Sequence, residues 1–241
     1  MIHPPRRPFP PGTGIFETLR TENSRVSEFG RHMRRALTAA RAENIPMANE
    51  DLLRSEIKRV LEETPFEVGR LRIAFTHQGF AITHDPYQEL SEGGYLTFSQ
   101  QTSKAVGEQY KKFPYDLRYE IVDEARAHGF DDAMVFNSAN NVTETGISNL
   151  AFLFGDTWFT PPISAGLLPG VMRAIAIERC GVEVRNIHIS EIPEAQEVFL
   201  LSSLKIAQPV VQIGEHRLPC GESSQAFGRQ MREKVEYFSV G

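Results

Sequence analysis

The sequence predicts an α+β protein of two domains, and three observations lead there. Helical periodicity is followed by β-prone runs in the first half, so its helices form one group and its strands another. A polar stretch, Gln100-Gln101-Thr102-Ser103-Lys104, then interrupts both patterns near residues 100–110 and reads as a linker. The chain has 241 residues, 41% of them hydrophobic, enough for one or two cores. The domains expected are a small α+β unit at 1–103, with a proline-rich arm, and a larger unit at 108–241.

The elements follow in order. Prolines at 4, 5, 8, 10 and 11 forbid helix and predict an extended, solvated arm. Residues 15–20 read as a strand, and Glu22-Asn23-Ser24 as a turn. An Ala-rich helix is expected from Gly30 to about Glu43. A second follows Asn49, a good N-cap, with Leu53, Ile57, Val60 and Leu61 on one face and Pro65 at its end. Residues 70–76, 80–83 and 95–99 read as antiparallel strands of one meander, with a turn at Gln78-Gly79.

In the second half a helix is expected at 115–128, stopped by Gly129, then a strand at 133–136. Asn140-Asn141 is a turn pair that tolerates positive φ. Residues 149–154 and 158–160 form a hairpin around Gly155-Asp156. A rigid loop at 161–169 feeds a helix at 170–179, closed by Gly181. Strands at 197–201 and 210–213 and a helix at about 225–237 complete the prediction.

Composition excludes several classes. A net charge of −5 without a Lys/Arg cluster argues against nucleic-acid binding. No apolar run approaches the roughly 20 residues of a membrane helix, and residues 1–8 lack a hydrophobic signal core. Two distant cysteines, Cys180 and Cys220, suggest a reduced compartment. A cytoplasmic enzyme is therefore the expectation. No histidine pair has i, i+3 or i, i+4 spacing, so no metal site is expected. There is no G-x-S-x-G, and Gly12-Thr13-Gly14 precedes a strand, not a helix, so neither a conventional serine hydrolase nor a dinucleotide site is expected. Read this far, the residues indicate an enzyme with helices and strands and no more.

One stretch reaches further. Residues 141–150, Asn-Val-Thr-Glu-Thr-Gly-Ile-Ser-Asn-Leu, resemble the V-T-E, three residues, N signature of the class IV aminotransferases. Phe16-Glu17-Thr18, the His32 and Arg35 pair, Lys111 upstream of Gly129-Phe130-Asp131-Asp132-Ala133, and Leu168-Pro169-Gly170-Val171-Met172-Arg173 match further family features in order. The resemblance covers roughly residues 14–215. It implies the two-domain D-amino-acid-aminotransferase-like (fold type IV) architecture, pyridoxal 5'-phosphate lying between the domains, a small-molecule amine substrate and a homodimer.

It also implies roles. Lys111 would be the Schiff-base lysine and proton carrier; read alone it is a lysine in a polar linker, with Lys112 and Lys104 as rivals. Glu144 would pair with the pyridine nitrogen and keep it protonated. Arg35, rather than Arg34, would offer a bidentate fork to the phosphate. The amides of Val171 and Met172 would add a helix N-terminus, and Ser148 and Asn149 side-chain donors. His32 would sit beside that arginine and orient the helix. Tyr115 would approach the cofactor's phenolic oxygen, and Ser203 would lie in a cofactor-lining loop. Arg20, Arg72 and Arg118 are candidates for a substrate carboxylate, with no choice among them.

Two reactions share this machinery. Lys111-Lys112-Phe113-Pro114-Tyr115 with Arg118, and Ser203-Leu204 followed by Pro209-Val210, are similar to patterns in aminodeoxychorismate lyases. The expectation is a 4-amino-4-deoxychorismate lyase producing 4-aminobenzoate and pyruvate. The alternatives are an aminotransferase for branched-chain or D-amino acids and a cofactor-binding homologue without turnover. One departure is noted: relatives carry an additional strand and turn before the F-E-T strand, and here only the arm precedes Gly14.

Overall fold

The computed structural model describes residues 9–89, 93–103, 109–219 and 222–240. The chain divides into two compact units, 1–89 with 110–114 and 236–241, and 90–109 with 115–235.

The first unit is built on a six-stranded sheet with helices on one face. Its long strands are β1 (Gly14–Glu22), β3 (Val68–Thr76) and β4 (Gly79–Pro86), all antiparallel, with Thr18 opposite Arg72. The short strands β2 (Arg25–Ser27), β6 (Lys112–Phe113) and β15 (Tyr237–Phe238) complete it. Helix α1 (Phe29–Ala42) and helix α2 (Glu50–Glu63) pack their apolar stripes on Ile15, Leu19, Leu71, Ile73 and Phe75. Asn49 caps α2 as expected, accepting from Leu52 N at 3.1 Å. Alternation along β1 sets the chemistry that follows: Ile15, Glu17 and Leu19 face the helices, while Phe16, Thr18 and Arg20 point to the other side.

The second unit holds a nine-stranded mixed sheet in the order β11-β10-β9-β12-β13-β5-β7-β8, with β14 beside β13. These strands are β5 (Gly94–Thr102), β7 (Asp132–Phe136), β8 (Val142–Thr145), β9 (Asn149–Phe154), β10 (Thr157–Thr160), β11 (Glu183–Val184), β12 (Glu197–Ser202), β13 (Ile206–Ile213) and β14 (His216–Arg217). Helix α3 (Asp116–Ala127), helix α4 (Val171–Cys180) and helix α5 (Glu222–Lys234) pack against it. Near-continuous apolar runs on β9 and β12 bury both faces, and their core includes Leu150, Phe152, Val198 and Leu200.

Two expectations are corrected. Residues 95–99 do not continue the first meander: β5 pairs in parallel with β13 and β7, its Leu96 packs in the core of the second sheet and its Phe98 meets Phe136. The passage between units therefore precedes β5, and residues 110–114 return to the first unit. The last helix ends at Lys234, and Tyr237 belongs to a strand beside β2. At the arm's described end Pro11, Gly12 and Thr13 are exposed, while Phe9 is half-buried and stacks on Phe113 with ring centroids 4.7 Å apart. The rest of the arm, Lys104 and Cys220 lie outside the described residues. Among the described residues no helix is long and apolar enough to cross a membrane, and no cluster of metal-ligating side chains occurs.

Candidate active site

In the first unit the candidate lysine lies beside β1. Phe16 N donates to Lys111 O at 2.9 Å, and β6 continues the pairing at Ile15 and Gly14. Lys111 Nζ sits 4.6 Å from the centroid of the Phe16 ring. Arg72 shares that ring, its guanidinium carbon 5.7 Å from the Phe16 centroid and 4.8 Å from that of Phe9. Two cations therefore approach one aromatic ring, whose quadrupole attracts both.

Behind that ring lies an ion cluster that the sequence did not reveal. Glu17 is 1% exposed. Arg35 donates through Nε to Glu17 Oε1 at 2.8 Å and through Nη2 to Oε2 at 2.6 Å. His32 Nδ1 lies 2.6 Å from the same Oε2. Burial alone would raise the Glu17 carboxyl, but Arg35 and then His32 overcome it and hold the pKa at about 2, against an ordinary 4.5. His32 moves the other way: burial, aided by the positive charges of Arg35 and Lys111, outweighs Glu17 and lowers its pKa. A mostly neutral His32 gives Glu17 a hydrogen bond rather than a charge, so the Arg35 fork is the main anchor. The signal in the sequence was the F-E-T strand itself, whose glutamate faces inward between two aromatic-side positions.

In the second unit the centre is Glu144 on β8, 4% exposed. Arg118 Nη2 donates to its Oε1 at 2.6 Å, and Leu168 N reaches the same oxygen at 3.0 Å. Asn149 Nδ2 donates to Oε2 at 3.3 Å and to Leu168 O at 3.0 Å. Burial opposes charging of Arg118, yet Glu144 reverses this and the Arg118 pKa is raised. Asn149 also presses on Gly170, where a side chain would run into its Oδ1. Glu144, Asn149 and the start of α4 thus form one neighbourhood. Val171 and Met172, buried, are the first two residues of that helix, whose first amides lack intrahelical acceptors. Arg173 turns away and donates to Pro161 O at 3.1 and 2.7 Å, bracing the incoming loop.

The remaining candidates spread around this centre. Ser148 is buried in the turn between β8 and β9, and its Oγ meets Lys205 Nζ at 3.4 Å. Ser203 lies in the turn between β12 and β13. Tyr115 stands at the start of α3, edge-on to Tyr119 with centroids 5.4 Å apart. The three arginines separate: Arg20 pairs with Glu22 and Glu89 at 2.6 and 2.7 Å, Arg118 with Glu144, and Arg72 lies on the Phe16 ring. Asp132 was not anticipated, although the Asp131-Asp132 pair marked the place. It accepts from Thr145 Oγ1 at 2.7 Å and from Gly146 N at 2.9 Å.

Known proteins share stretches of this sequence and its fold. A branched-chain-amino-acid aminotransferase of Arabidopsis thaliana is 31% identical over 100 residues, covering 39% of this chain and 28% of that protein. The chain spans about a quarter to a third of the length of the curated relatives it matches. Among solved structures, a candidate 4-amino-4-deoxychorismate lyase of Legionella pneumophila superposes with a TM-score of 0.84 at 23% identity, over 92% of this chain and 91% of that one. A branched-chain aminotransferase of Thermoproteus uzoniensis, solved with norvaline, gives 0.81 at 21% identity over 91% and 84%. At these identities the two likenesses establish fold. The class IV amino-transferase pattern matches residues 14–213, most of the chain. The chain belongs to the class IV amino-transferase family, whose members are pyridoxal-phosphate-dependent enzymes.

Proposed function

We propose that this protein is a pyridoxal-phosphate-dependent 4-amino-4-deoxychorismate lyase, with Lys111 as its reactive amine. The observation that carries the catalytic part is Glu144, a buried carboxylate paired with Arg118 and oriented by Asn149 and the Leu168 amide. Such a group suits a protonated ring nitrogen. The residues fit the cofactor on the structure's own terms. Gly170 packs so closely on Asn149 that the α4 amides of Val171 and Met172, donors for a phosphate, adjoin the carboxylate. Ser148, Asn149, Ser203 and Tyr115 are proposed as further contacts, and Arg35, oriented by Glu17, as a phosphate ligand.

When bound, the cofactor withdraws electrons from the carbon beside the substrate nitrogen. Lys111 Nζ, against the Phe16 ring, then takes the proton from that carbon. The ring carbon–oxygen bond to the enolpyruvyl group would then break, Lys111 would return its proton to that group, which would leave as pyruvate, and the ring would become aromatic. Arg72 is proposed to face the substrate carboxylate, because it shares the Phe16 ring with Lys111.

The lyase reading is supported by the Lys111–Arg118 and Ser203–Val210 patterns and by the nearly full-length likeness to the Legionella chain. The local identity to branched-chain aminotransferases favours a second reading, transfer of the amino group between keto acids by the same lysine. Aminodeoxychorismate supplied to the holoprotein decides between them: 4-aminobenzoate and pyruvate are expected. Amino transfer between keto acids without either product overturns the lyase and retains the aminotransferase. Lys111→Ala is expected to lose or shift the visible absorption band acquired with pyridoxal phosphate. A wild-type protein with no such band overturns both readings. A homodimer belongs to the same proposal and is tested by sedimentation.

A further inference from the structure

The turn between β8 and β9, residues 145–148, joins Glu144 on one strand to Asn149 on the other. Asp132, fully buried on β7, holds it from one side through Thr145 Oγ1 and the amide of Gly146. Ser148 N closes it by donating to Thr145 Oγ1 at 3.0 Å. From the other side comes Lys205, whose Nζ lies 3.4 Å from Ser148 Oγ.

Lys205 has an unusual setting. It sits in the turn between β12 and β13, only partly exposed, and its amide reaches Ser202 Oγ at 3.4 Å. The next residue, Ile206, has φ of +58° and is itself buried. A β-branched residue in the left-handed region is strained and persists where its surroundings over-determine it. Burial lowers the Lys205 pKa; Asp132 and Asp131 oppose this, and Arg126 adds to it. The turn is thus held both by Asp132 and by the Lys205 side chain.

We propose that Lys205 is a positioning residue: through Ser148 it fixes the 145–148 turn and so sets Asn149, whose Nδ2 holds the Glu144 carboxylate. The inference rests on the cofactor reading above for its consequence, though not for its structural half. An Nζ donor of this length is needed at that place; arginine keeps a donor, while methionine keeps the stem and loses it.

The test uses the full chain as wild type, Lys205→Met, Lys205→Arg and Ser148→Ala. Amide hydrogen exchange of the 142–149 segment is measured without added cofactor, and the dissociation constant for pyridoxal phosphate is measured by fluorescence quenching. Lys205→Met is expected to speed exchange in that segment about tenfold and to weaken the cofactor about tenfold, with Lys205→Arg close to wild type in both. If Lys205→Met does not fold, Ser148→Ala, which removes the acceptor alone, is expected to show the same faster exchange. Unchanged exchange in the methionine variant, or in Ser148→Ala where it serves as the substitute, overturns the tether. So does an arginine variant that behaves like methionine. Faster exchange with unchanged cofactor affinity overturns the positioning role. A wild type that binds no pyridoxal phosphate refutes the proposed function instead, a result distinct from any of these.

Discussion

Replacing Glu17 by glutamine removes a buried charge at the point where α1 meets β1, and the structure sets the size of the effect. A carboxyl held at about 2 instead of 4.5 corresponds to about 3 kcal/mol of stability. This is an upper bound, since a neutral His32 contributes a hydrogen bond rather than a charge. The sign follows from linkage. The folded pKa is depressed, so the stabilisation is complete above 4.5, declines as pH falls from 4.5 to about 2, and is absent below. His32 adds a second loss on acidification: its folded pKa lies below 6.5, so protons bind the unfolded chain more readily as pH drops through that value. Urea unfolding of wild type and Glu17→Gln, followed from pH 7 to pH 2, is the assay. The variant is expected to lose up to about 3 kcal/mol at pH 7, roughly 10 °C or less in Tm, and to show a flatter acid limb between 4.5 and 2. Identical pH slopes for the two proteins would refute the argument that Arg35 outweighs burial at Glu17.

Further outcomes follow from the second unit. Arg118→Met leaves Glu144 buried without its cation, so a stability loss of about 3 kcal/mol is expected in denaturant unfolding, together with weaker pyridoxal-phosphate binding by titration. Gly146→Ala sets a Cβ 2.8 Å from both Asp132 Oδ1 and Val122 Cγ2, and a lower Tm with faster exchange of the 145–148 turn is expected.

Much of this protein was legible in the linear chain, and for a local reason. Asn49 caps its helix because a side-chain acceptor three residues before an orphan amide needs no tertiary help. Gly129 and Gly181 stop their helices at φ of 85° and 73°, a conformation open to glycine wherever the rest of the chain lies. Lys111, Glu144, Arg35, Val171 and Met172 were named through a resemblance whose motifs are contiguous. Their partners were not. Glu17 was noted as part of a strand motif, yet its role as the anchor of Arg35 depends on α1 folding back over β1.

The sequence by itself determined the class of fold, the periodic helices, the turn glycines and the family to which the motifs belong. These rest on local sterics, hydrophobic periodicity and short runs of residues. Tertiary structure alone decided that β5 joins the second sheet, that residues 110–114 return to place Lys111 beside Phe16, that Arg118 spends its charge on Glu144, 26 positions away, and that Lys205 meets Ser148 across 57. Such pairings carry no periodic signal. A buried charge takes whichever partner the packed sheets bring within reach, and that choice is settled only when the whole chain has folded.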